Sequence, residues 1–235
     1  MVELSIIIPT FNEGKYLGTL LNSILAQDYK DYEIIVSDNK SSDSTLRVAR
    51  NYKCKIVKGG RPGRARNNGS KIANGKYLLF IDADSVLSEN CLNNSIRLFK
   101  EKNLDIVTAR FYAYEGNSFD DFLHWLYFVL ISIIFPLVPH LNGGYLLVKK
   151  ELYDKLKGFD EGVKLGEEHD LARRAKKLGA KIAILRNIKV YLSVRRFKAE
   201  GRLKLTFKYL FAGFYRITMG EIRSNIFSYK WGYKK

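Results

Sequence analysis

The chain has 235 residues, of which 46% are hydrophobic and 27% charged, a composition that excludes a disordered or collagen-like protein. Its 40 lysine and arginine residues against 24 aspartate and glutamate residues give a formal net charge of +16. Such a charge suits an anionic partner: a nucleic acid, an anionic lipid or a phosphorylated substrate. The two cysteines cannot supply the disulfide framework of a small secreted domain and indicate a reducing compartment.

The first half of the sequence alternates between strand and helix patterns. The β-branched run Leu4–Pro9 predicts a strand buried on both faces, and apolar residues at helical spacing predict a helix over Lys15–Gln27. Similar patterns predict a helix at Leu46–Lys53 and strands at Tyr32–Ser37, Lys55–Val57 and Tyr77–Asp82. This rhythm is typical of an α/β fold, in which ligands bind at the carboxyl ends of parallel strands.

The second half is less regular. The segment Phe122–Val138 has 17 residues without a charged side chain, and Leu203–Met219 reads as a basic, aromatic helix. Between them the sequence predicts strands at Gly144–Val148 and Lys181–Leu185, and a helix over Glu167–Leu178 that Gly179 ends.

Two aspartates follow the apolar strand pattern ending at Ile81. Carboxylates two residues apart, Asp82 and Asp84, can converge on one divalent cation, with substrate phosphates completing its coordination. The alternative is a solvated loop with a helix cap. Asp38 also ends a predicted strand and can accept a hydrogen bond from a nucleobase, or simply form a turn.

Two further groups of charged residues surround predicted helix starts. Residues 61–68 place three arginines around a glycine turn before a helix, which suits a diphosphate or, alternatively, an ordinary basic surface loop. Glu167, Glu168 and Asp170 lie in a first helical turn, where they complement the helix dipole. Grouped carboxylates also raise one another's pKa, as a general base requires. His169 between them is a metal candidate that we do not favour.

Together these segments resemble the family 2 glycosyltransferases, which have the GT-A fold. The matching segments, in order, are residues 5–13 (SIIIPTFNE), 36–43 (VSDNKSSD), 65–67 (ARN), 82–84 (DAD), 158–160 (GFD) and 167–170 (EEHD). The resemblance covers roughly residues 3 to 200. It implies a Rossmann-like, mostly parallel sheet flanked by helices, to which this chain adds a helical appendage at its C-terminus.

The resemblance implies a role for each matching position. A nucleotide-sugar linked to UDP, GDP or dTDP is the expected donor, and Mn²⁺ or Mg²⁺ the expected cofactor, held by Asp82 and Asp84. The donor contacts are expected at Pro9, Thr10, Glu13, Asp38, Arg66 and Asp82.

The chain departs from the family pattern at two places. Glu168 stands where the family usually has the aspartate that supplies the catalytic base, so Glu167, Glu168 and Asp170 all stay candidates. The Gln-x-x-Arg-Trp motif of processive synthases is absent, and Arg195 and Arg196 in that region are expected to bind a phosphate or the acceptor instead. Asn142 and Gly143 are likewise expected to contact the phosphate or the acceptor.

The implied reaction is a single displacement that inverts the anomeric centre, with a saccharide or a lipid or polyprenyl phosphate as acceptor. Residues 1–110 would bind the nucleotide-sugar, residues 111–200 the acceptor, and residues 201–235 would form the tail. Two other functions stay open: nucleic-acid binding, which rests on the charge alone, and sugar-nucleotide binding without catalysis. No nucleic-acid-binding motif supports the former, so we expect no nucleic-acid partner. The sequence does not predict an oligomeric state.

Membrane association is the last expectation. A membrane crossing by Phe122–Val138 would put Asp84 and Glu168 on opposite sides of the bilayer, so the segment is expected to be buried, interfacial or re-entrant at Pro136. The apolar run Leu4–Pro9 is too short for the hydrophobic region of a secretory signal, so we expect none here. The tail helix carries an apolar stripe flanked by Lys204 and Lys208, with Arg202 and Arg216 near its ends, which suits either an anionic membrane or docking on the catalytic domain. We therefore expect a cytoplasmic enzyme on the inner face of the cell membrane. The stripe consists of Leu203, Phe207, Leu210, Phe214 and Ile217.

Overall fold

The structure, a computed structural model, describes residues 2–135 and 140–227. Its strands are β1 (Leu4–Thr10), β2 (Tyr32–Asp38), β3 (Lys55–Lys58), β4 (Tyr77–Ile81), β5 (Ser85–Leu87), β6 (Ile106–Tyr114), β7 (Tyr145–Lys149) and β8 (Ile182–Ser193). Its helices are α1 (Gly14–Leu25), α2 (Thr45–Asn51), α3 (Pro62–Lys71), α4 (Cys91–Glu101), α5 (Ser118–Ile134), α6 (Lys150–Lys155), α7 (Glu167–Lys177), α8 (Arg195–Glu200) and α9 (Arg202–Met219).

These eight strands form one sheet in the order β3-β2-β1-β4-β7-β6-β8-β5. The strands β1 to β4 pair in parallel, whereas β7 runs antiparallel to both β4 and β6. In the β1–β2 register Thr10 lies opposite Asp38, so the carboxyl ends of these strands finish level at one edge. The prediction of a mostly parallel sheet flanked by helices, with helices at the C-terminus, is confirmed.

Two apolar clusters cover the two faces of this sheet. Alternate residues of one strand belong to different clusters: Ile6 and Ile8 pack with α1 on one face, and Ile7 packs with Phe80 and α7 on the other. Burial on both faces explains why the central strands read as continuous apolar runs in the sequence. The sheet is therefore a fixed frame that holds the strand ends in place.

Several element boundaries differ from the sequence-based prediction. The arginine-rich segment does not precede a helix; α3 begins at Pro62, the usual place for proline in a first turn, so Arg64 and Arg66 are helical. The predicted strand at Lys181–Leu185 continues to Ser193 because β8 bulges opposite Ala109 and Arg110 and resumes pairing with β6.

The helices α5 and α9 are joined by a buried ion pair. Asn117 and Asp120 form a reciprocal cap at the start of α5, and Arg202 at the start of α9 donates to both oxygens of the fully buried Asp120, at 2.6 and 3.0 Å. No helix among the described residues is long and apolar enough to cross a membrane. The last three positions of the apolar segment Phe122–Val138, including Pro136, lie outside the described residues, as do positions 228–235 of the tail.

Candidate active site

The two aspartates of the Asp-x-Asp segment lie just beyond β4, at the carboxyl edge of the sheet. The turn is closed by a hydrogen bond from the backbone amide of Ser85 to the carbonyl of Asp82. Asp84 is buried, whereas about a third of the Asp82 side chain is exposed. Both aspartates line the main cavity of the described residues.

Arg66 connects these aspartates to the candidate base. Its Nη2 donates to Asp82 Oδ1 at 2.9 Å and to the carbonyl of Gly143 at 3.2 Å, while its Nη1 donates to Glu167 Oε1. The guanidinium is nearly fully buried and stands over the ring of Phe159. Arg66 of α3 thus forms hydrogen bonds with residues of three segments that the sequence singled out separately.

The carboxylates of Glu167 and Glu168 lie at the beginning of α7. Gly166 precedes them in the left-handed conformation, with φ 80°. Burial raises the pKa of both carboxyl groups, and the neighbouring Glu168 charge adds to the rise at Glu167, while Arg66 opposes it. Both residues line the main cavity.

Asp170 faces a different environment. Its two oxygens accept hydrogen bonds from Arg173 at 2.9 Å and from Arg174 at 2.7 Å, and it does not line the cavity formed by the described residues. Of the three candidates for the base, Glu167 and Glu168 are therefore positioned beside the aspartates, whereas Asp170 is held away from them.

A second arginine closes the predicted donor cleft. The Arg195 guanidinium donates to both oxygens of Glu13 at 2.7 Å, donates to Asp84 Oδ2 at 2.9 Å, and stacks on Tyr16. Burial raises the pKa of Glu13 to about 7 although Arg195 opposes the rise. The remaining cleft, which Pro9 also lines, measures only about 20 Å³.

Asp38, the predicted contact with the nucleobase, holds the loop after β2. Asp38 accepts a hydrogen bond from Thr10 Oγ1 at 2.9 Å and two more from the backbone amide and hydroxyl of Ser41. This is the turn-forming arrangement that the sequence left open as an alternative. It also fixes the loop after β2, so the contact of Asp38 with a nucleobase stays a prediction.

The donor atoms present fit a hard divalent cation. Asp82 and Asp84 supply carboxylate oxygens, the ligand type that Mg²⁺ and Mn²⁺ prefer, at an edge where a diphosphate would add more. No three histidine, cysteine, aspartate or glutamate side chains of the described chain are grouped closely enough to hold an ion without such help. Each aspartate gives one oxygen to an arginine, so a cation here would share these carboxylates with Arg66 and Arg195.

The main cavity extends from these carboxylates to the helices α5 and α9. Its volume is about 270 Å³, and its far wall is mostly apolar, with Asn142, Gly143 and Arg196 among the polar lining residues. All three histidines of the chain also line it. No sequence pattern indicates this grouping, since the histidines lie on separate segments.

Two of these histidines form a buried pair beside Glu168. Their rings, from His140 and His169, lie 3.8 Å apart between centroids, and His169 Nε2 is 3.6 Å from Glu168 Oε1. Tyr127 bonds to the other side of His140. Burial lowers the pKa of His140 to about 3, so this imidazole is neutral at physiological pH.

The helix α9 has an inner and an outer face. Leu205 and Ala212 are buried on the inner face, whereas the predicted apolar stripe is exposed on the outer face. Two of the four predicted flanking charges are paired within the protein, Arg202 with Asp120 and Lys208 with Glu200, whereas Arg216 lines the cavity and Lys204 is exposed. The helix thus docks on the protein through one face and exposes the apolar stripe on the other.

A family comparison agrees with this geometry. A model of the family described as Glycosyl transferase family 2 matches residues 5–157. The chain belongs to this glycosyltransferase family. The family resemblance inferred from its motifs is confirmed, and so is the GT-A fold.

Individual relatives are similar over part of their length. The poly(ribitol-phosphate) β-N-acetylglucosaminyltransferase TarS of Staphylococcus aureus is 26% identical over 212 residues, covering 83% of this chain and 36% of that protein. A Campylobacter jejuni GalNAc(5)-diNAcBac-PP-undecaprenol β-1,3-glucosyltransferase is 34% identical over 132 residues, covering 50% of this chain and 42% of its own. The chain thus spans about a third to two-fifths of these curated relatives.

Solved structures agree on the fold. The crystal structure of TarS residues 1–349 in complex with UDP superimposes with a TM-score of 0.66 and 25% identity, covering 82% of this chain and 60% of that chain. The mannosyltransferase PcManGT of Pyrobaculum calidifontis, in complex with GDP-Man and Mn²⁺, gives a TM-score of 0.69 at 20% identity, covering 89% and 64%.

Proposed function

We propose that this chain is an inverting, metal-dependent glycosyltransferase that moves a sugar from a nucleotide-sugar to an acceptor at a membrane surface. The observation that carries the proposal is the arrangement around Arg66. Its guanidinium binds both Asp82, at the end of β4, and Glu167, at the start of α7. A donor site and a proton acceptor therefore share one cavity.

The donor side would hold the nucleotide-sugar between the strand ends. Thr10, Glu13 and Asp38 would contact the nucleoside, and Asp82 and Asp84 would hold Mn²⁺ or Mg²⁺. The metal, when bound, neutralises the charge of the leaving diphosphate. Arg195 would release Asp84 and Glu13 and turn to the diphosphate, for which a planar guanidinium is well suited.

The acceptor side would supply the base. Glu168 is the residue that we assign to this role, since it lines the cavity and its pKa is raised by burial toward the range where proton transfer is efficient. It would remove the proton from an acceptor hydroxyl as that oxygen forms a bond to the anomeric carbon and the bond to the diphosphate breaks. One such displacement inverts the anomeric centre. Glu167, which is bound to Arg66, would hold the neighbouring Glu168 in position.

The acceptor class is inferred from the apolar wall and the outer surface. Exposed aromatic side chains occur on both α5 and α9, among them Trp125, Phe207 and Phe211. Aromatic residues beside basic ones favour an anionic membrane surface. A polyprenyl phosphate, or a saccharide linked to one, matches the phosphate chemistry named for the two relatives above. A saccharide would offer the hydroxyl that Glu168 deprotonates, whereas a polyprenyl phosphate would attack through an oxygen that is already ionised, so the base would contribute much less. A peripheral position on the inner face of the cell membrane follows from this proposal.

Thermal stabilisation by nucleotide-sugars tests the donor part of the proposal. We expect one member of a panel of UDP-, GDP- and dTDP-sugars to raise the melting temperature in the presence of Mn²⁺, because a ligand that binds only the folded state stabilises it by mass action. Asp105→Asn, which changes an aspartate far from the cavity, should respond like the wild type. Stabilisation by none of the panel would contradict the proposal.

A further inference from the structure

The part of the cavity between α5 and α9 is lined by apolar side chains of both helices. Leu123, Phe128 and Ile131 of α5 and Leu205 and Ala212 of α9 line it. An apolar cavity of this kind gains most from a ligand that itself carries apolar surface. The wall therefore favours a hydrocarbon chain over a free sugar or polyol.

One cation reaches into this apolar part from the tail. Arg216, near the end of α9, lines the cavity. A Cβ added at Gly166 would come within 2.9 Å of Arg216 Nη1, so the guanidinium rests directly on the start of α7 beside Glu168. The glycine leaves the room that this contact needs.

Arg216 has no carboxylate partner at ion-pair distance among the described residues, although the charges of Glu168 and Glu221 act on it from farther away. Within the same part of the chain its Nη1 has no hydrogen-bond partner, and its Nε reaches only the carbonyl of Ala212 at 3.4 Å. Arg66, in contrast, is bound to two carboxylates in the same cavity. Burial also lowers the pKa of Arg216. A partly buried cation with a free donor is costly unless a ligand supplies the anion.

We infer that Arg216 binds the phosphate of an acceptor whose apolar chain lies between α5 and α9. The inference rests on the proposed function, since it names the acceptor of that reaction. The fork of guanidinium donors matches a phosphate group, and the hydrocarbon wall adjoins it. The C-terminal helix is accordingly part of the active site, and Arg216 is a specificity-determining residue for the acceptor.

A different role for Arg216 would be to hold Glu168 in its ionised form. Glu168 is the first of the neighbouring charges that act on Arg216. In that case Arg216 would be a positioning residue for the base, and its removal would change the pH dependence of transfer without distinguishing an anionic ligand from a neutral one. The two roles are separated by comparing ligands that differ only in the phosphate.

The test compares farnesyl phosphate with farnesol, both below their micelle-forming concentrations, by calorimetric titration of the full chain. UDP and Mn²⁺ are present so that the arginines of the donor side are occupied, and a second series omits them. We expect the wild type to bind farnesyl phosphate more tightly. Arg216→Met should lose about 10- to 100-fold of that affinity, the usual size of a hydrogen bond to a charged group, and leave farnesol binding unchanged. Arg216→Lys should recover part of it.

The matched control is Arg223→Met, which removes a tail arginine that is paired with Asp160 at the surface. It should bind both ligands as the wild type does. Ribitol 5-phosphate, which has the phosphate without the chain, should bind weakly to every variant; binding as tight as that of farnesyl phosphate would overturn the role of the apolar wall.

Equal weakening of both farnesyl ligands by Arg216→Met, or no weakening of either, would overturn the inference. Unchanged circular dichroism and melting temperature are the criteria for a folded variant, and Arg216→Gln replaces Arg216→Met if these are not met. The titration requires no turnover. A failed search for a nucleotide-sugar donor would contradict the proposed function without changing the binding result at Arg216. A negative binding result at Arg216 would overturn the inference without contradicting the proposed function.

Discussion

The proposed donor side and the proposed acceptor side of the cavity differ in the interactions that line them. On the donor side Glu13, Asp82 and Asp84 are each bound to an arginine, and the free space measures about 20 Å³. On the proposed acceptor side apolar residues of α5 and α9 line the main cavity, whose whole volume, including the part beside Asp82 and Asp84, is about 270 Å³. Under the proposed function, a donor would enter by exchanging ion pairs, whereas an acceptor would enter by removing apolar surface from water.

This difference has a consequence for how the two substrates depend on conditions. Ion-pair exchange makes donor binding sensitive to the metal and to charge substitutions, because breaking a buried pair leaves an unpaired charge. Binding at the apolar wall depends on the area removed from water and is less affected by salt. Substitutions on the donor side should therefore weaken metal-dependent nucleotide binding. Substitutions at the apolar wall should weaken acceptor binding with little dependence on salt.

The largest effect is expected on the donor side. Asp84→Ala should abolish transfer and metal-dependent nucleotide binding, a loss of about 10³-fold or more, since a bound metal contributes several kcal/mol of charge stabilisation. Titration of UDP and GDP with and without Mn²⁺ measures it, and Asp160→Ala, at a surface aspartate, is the control. Undiminished Mn²⁺-dependent binding by Asp84→Ala would rule out the metal role of this residue.

The next effect separates catalysis from donor binding. Glu168→Gln should keep donor affinity but lower the rate of transfer to a hydroxyl acceptor by roughly 10²–10⁴-fold, the usual contribution of a general base. Asp170→Asn should keep most of the rate, because Asp170 is bound to Arg173 and Arg174 away from the cavity. An active Glu168→Gln together with an inactive Asp170→Asn would show that the base is assigned to the wrong residue.

A smaller effect is expected at the outer face of α9. The exposed fractions of Phe207, Phe211 and Phe214 are 68%, 66% and 63%. Replacing all three by serine should lower binding to anionic vesicles by about 10²-fold, since a fully buried phenylalanine contributes about 1.5–3 kcal/mol and interfacial burial is partial. Co-sedimentation measures the loss, and Leu178→Ser, at an exposed leucine elsewhere, is the control.

The pairing of the basic residues beside the stripe also bears on the salt dependence of this binding. Of the four basic residues predicted beside the stripe, Arg202 and Lys208 are paired and Arg216 lines the cavity. Vesicle binding should accordingly survive a salt concentration that screens exposed charges. Complete loss of binding in high salt with the serine variant behaving as wild type would mean that charges, and not the aromatic face, hold the protein on the membrane.

The mildest effect is in the pH dependence of transfer. Burial raises the pKa of Glu168, so the carboxyl group stays protonated, and unable to accept a proton, to a higher pH than an exposed glutamate does. The rate should rise with pH through this raised pKa, by about tenfold per unit below it, and its acid limb should lie above the ordinary value of 4.5. A rate profile with its acid limb at or below 4.5 would contradict the assignment of a buried base.

The sequence predicted the strand ends that would form the donor side because their signals are local. A buried parallel strand reads as a continuous apolar run, and the polar residue that ends it, such as Asp38 or Asp82, is then placed by the sheet. The capping and turn residues of α7 are equally local. What the sequence could not give is the pairing of these residues, since Arg66 lies 101 positions from Glu167 and Arg195 lies 182 positions from Glu13.

The acceptor side was predicted less completely because its signals depend on distant contacts. The periodicity of α9 identified its apolar stripe, which is indeed exposed, but the stripe alone cannot tell which face docks on the protein. That face is set by the ion pair between Arg202 and Asp120 and by the burial of Leu205 and Ala212. Arg216 lines the cavity because α9 docks in this way, and no sequence pattern predicts that position.

Hydrolysis of nucleotide-sugars, with and without Mn²⁺, tests the central claim most directly. The wild type should release a nucleoside diphosphate from one donor of the panel only when Mn²⁺ or Mg²⁺ is present, and Asp84→Ala should not release it. Binding of a nucleotide-sugar without any release, in the presence of both the metal and a phosphorylated acceptor, would instead identify a non-catalytic binder. Release from no donor, together with retention of nucleic acid by the protein at physiological salt, would contradict the account.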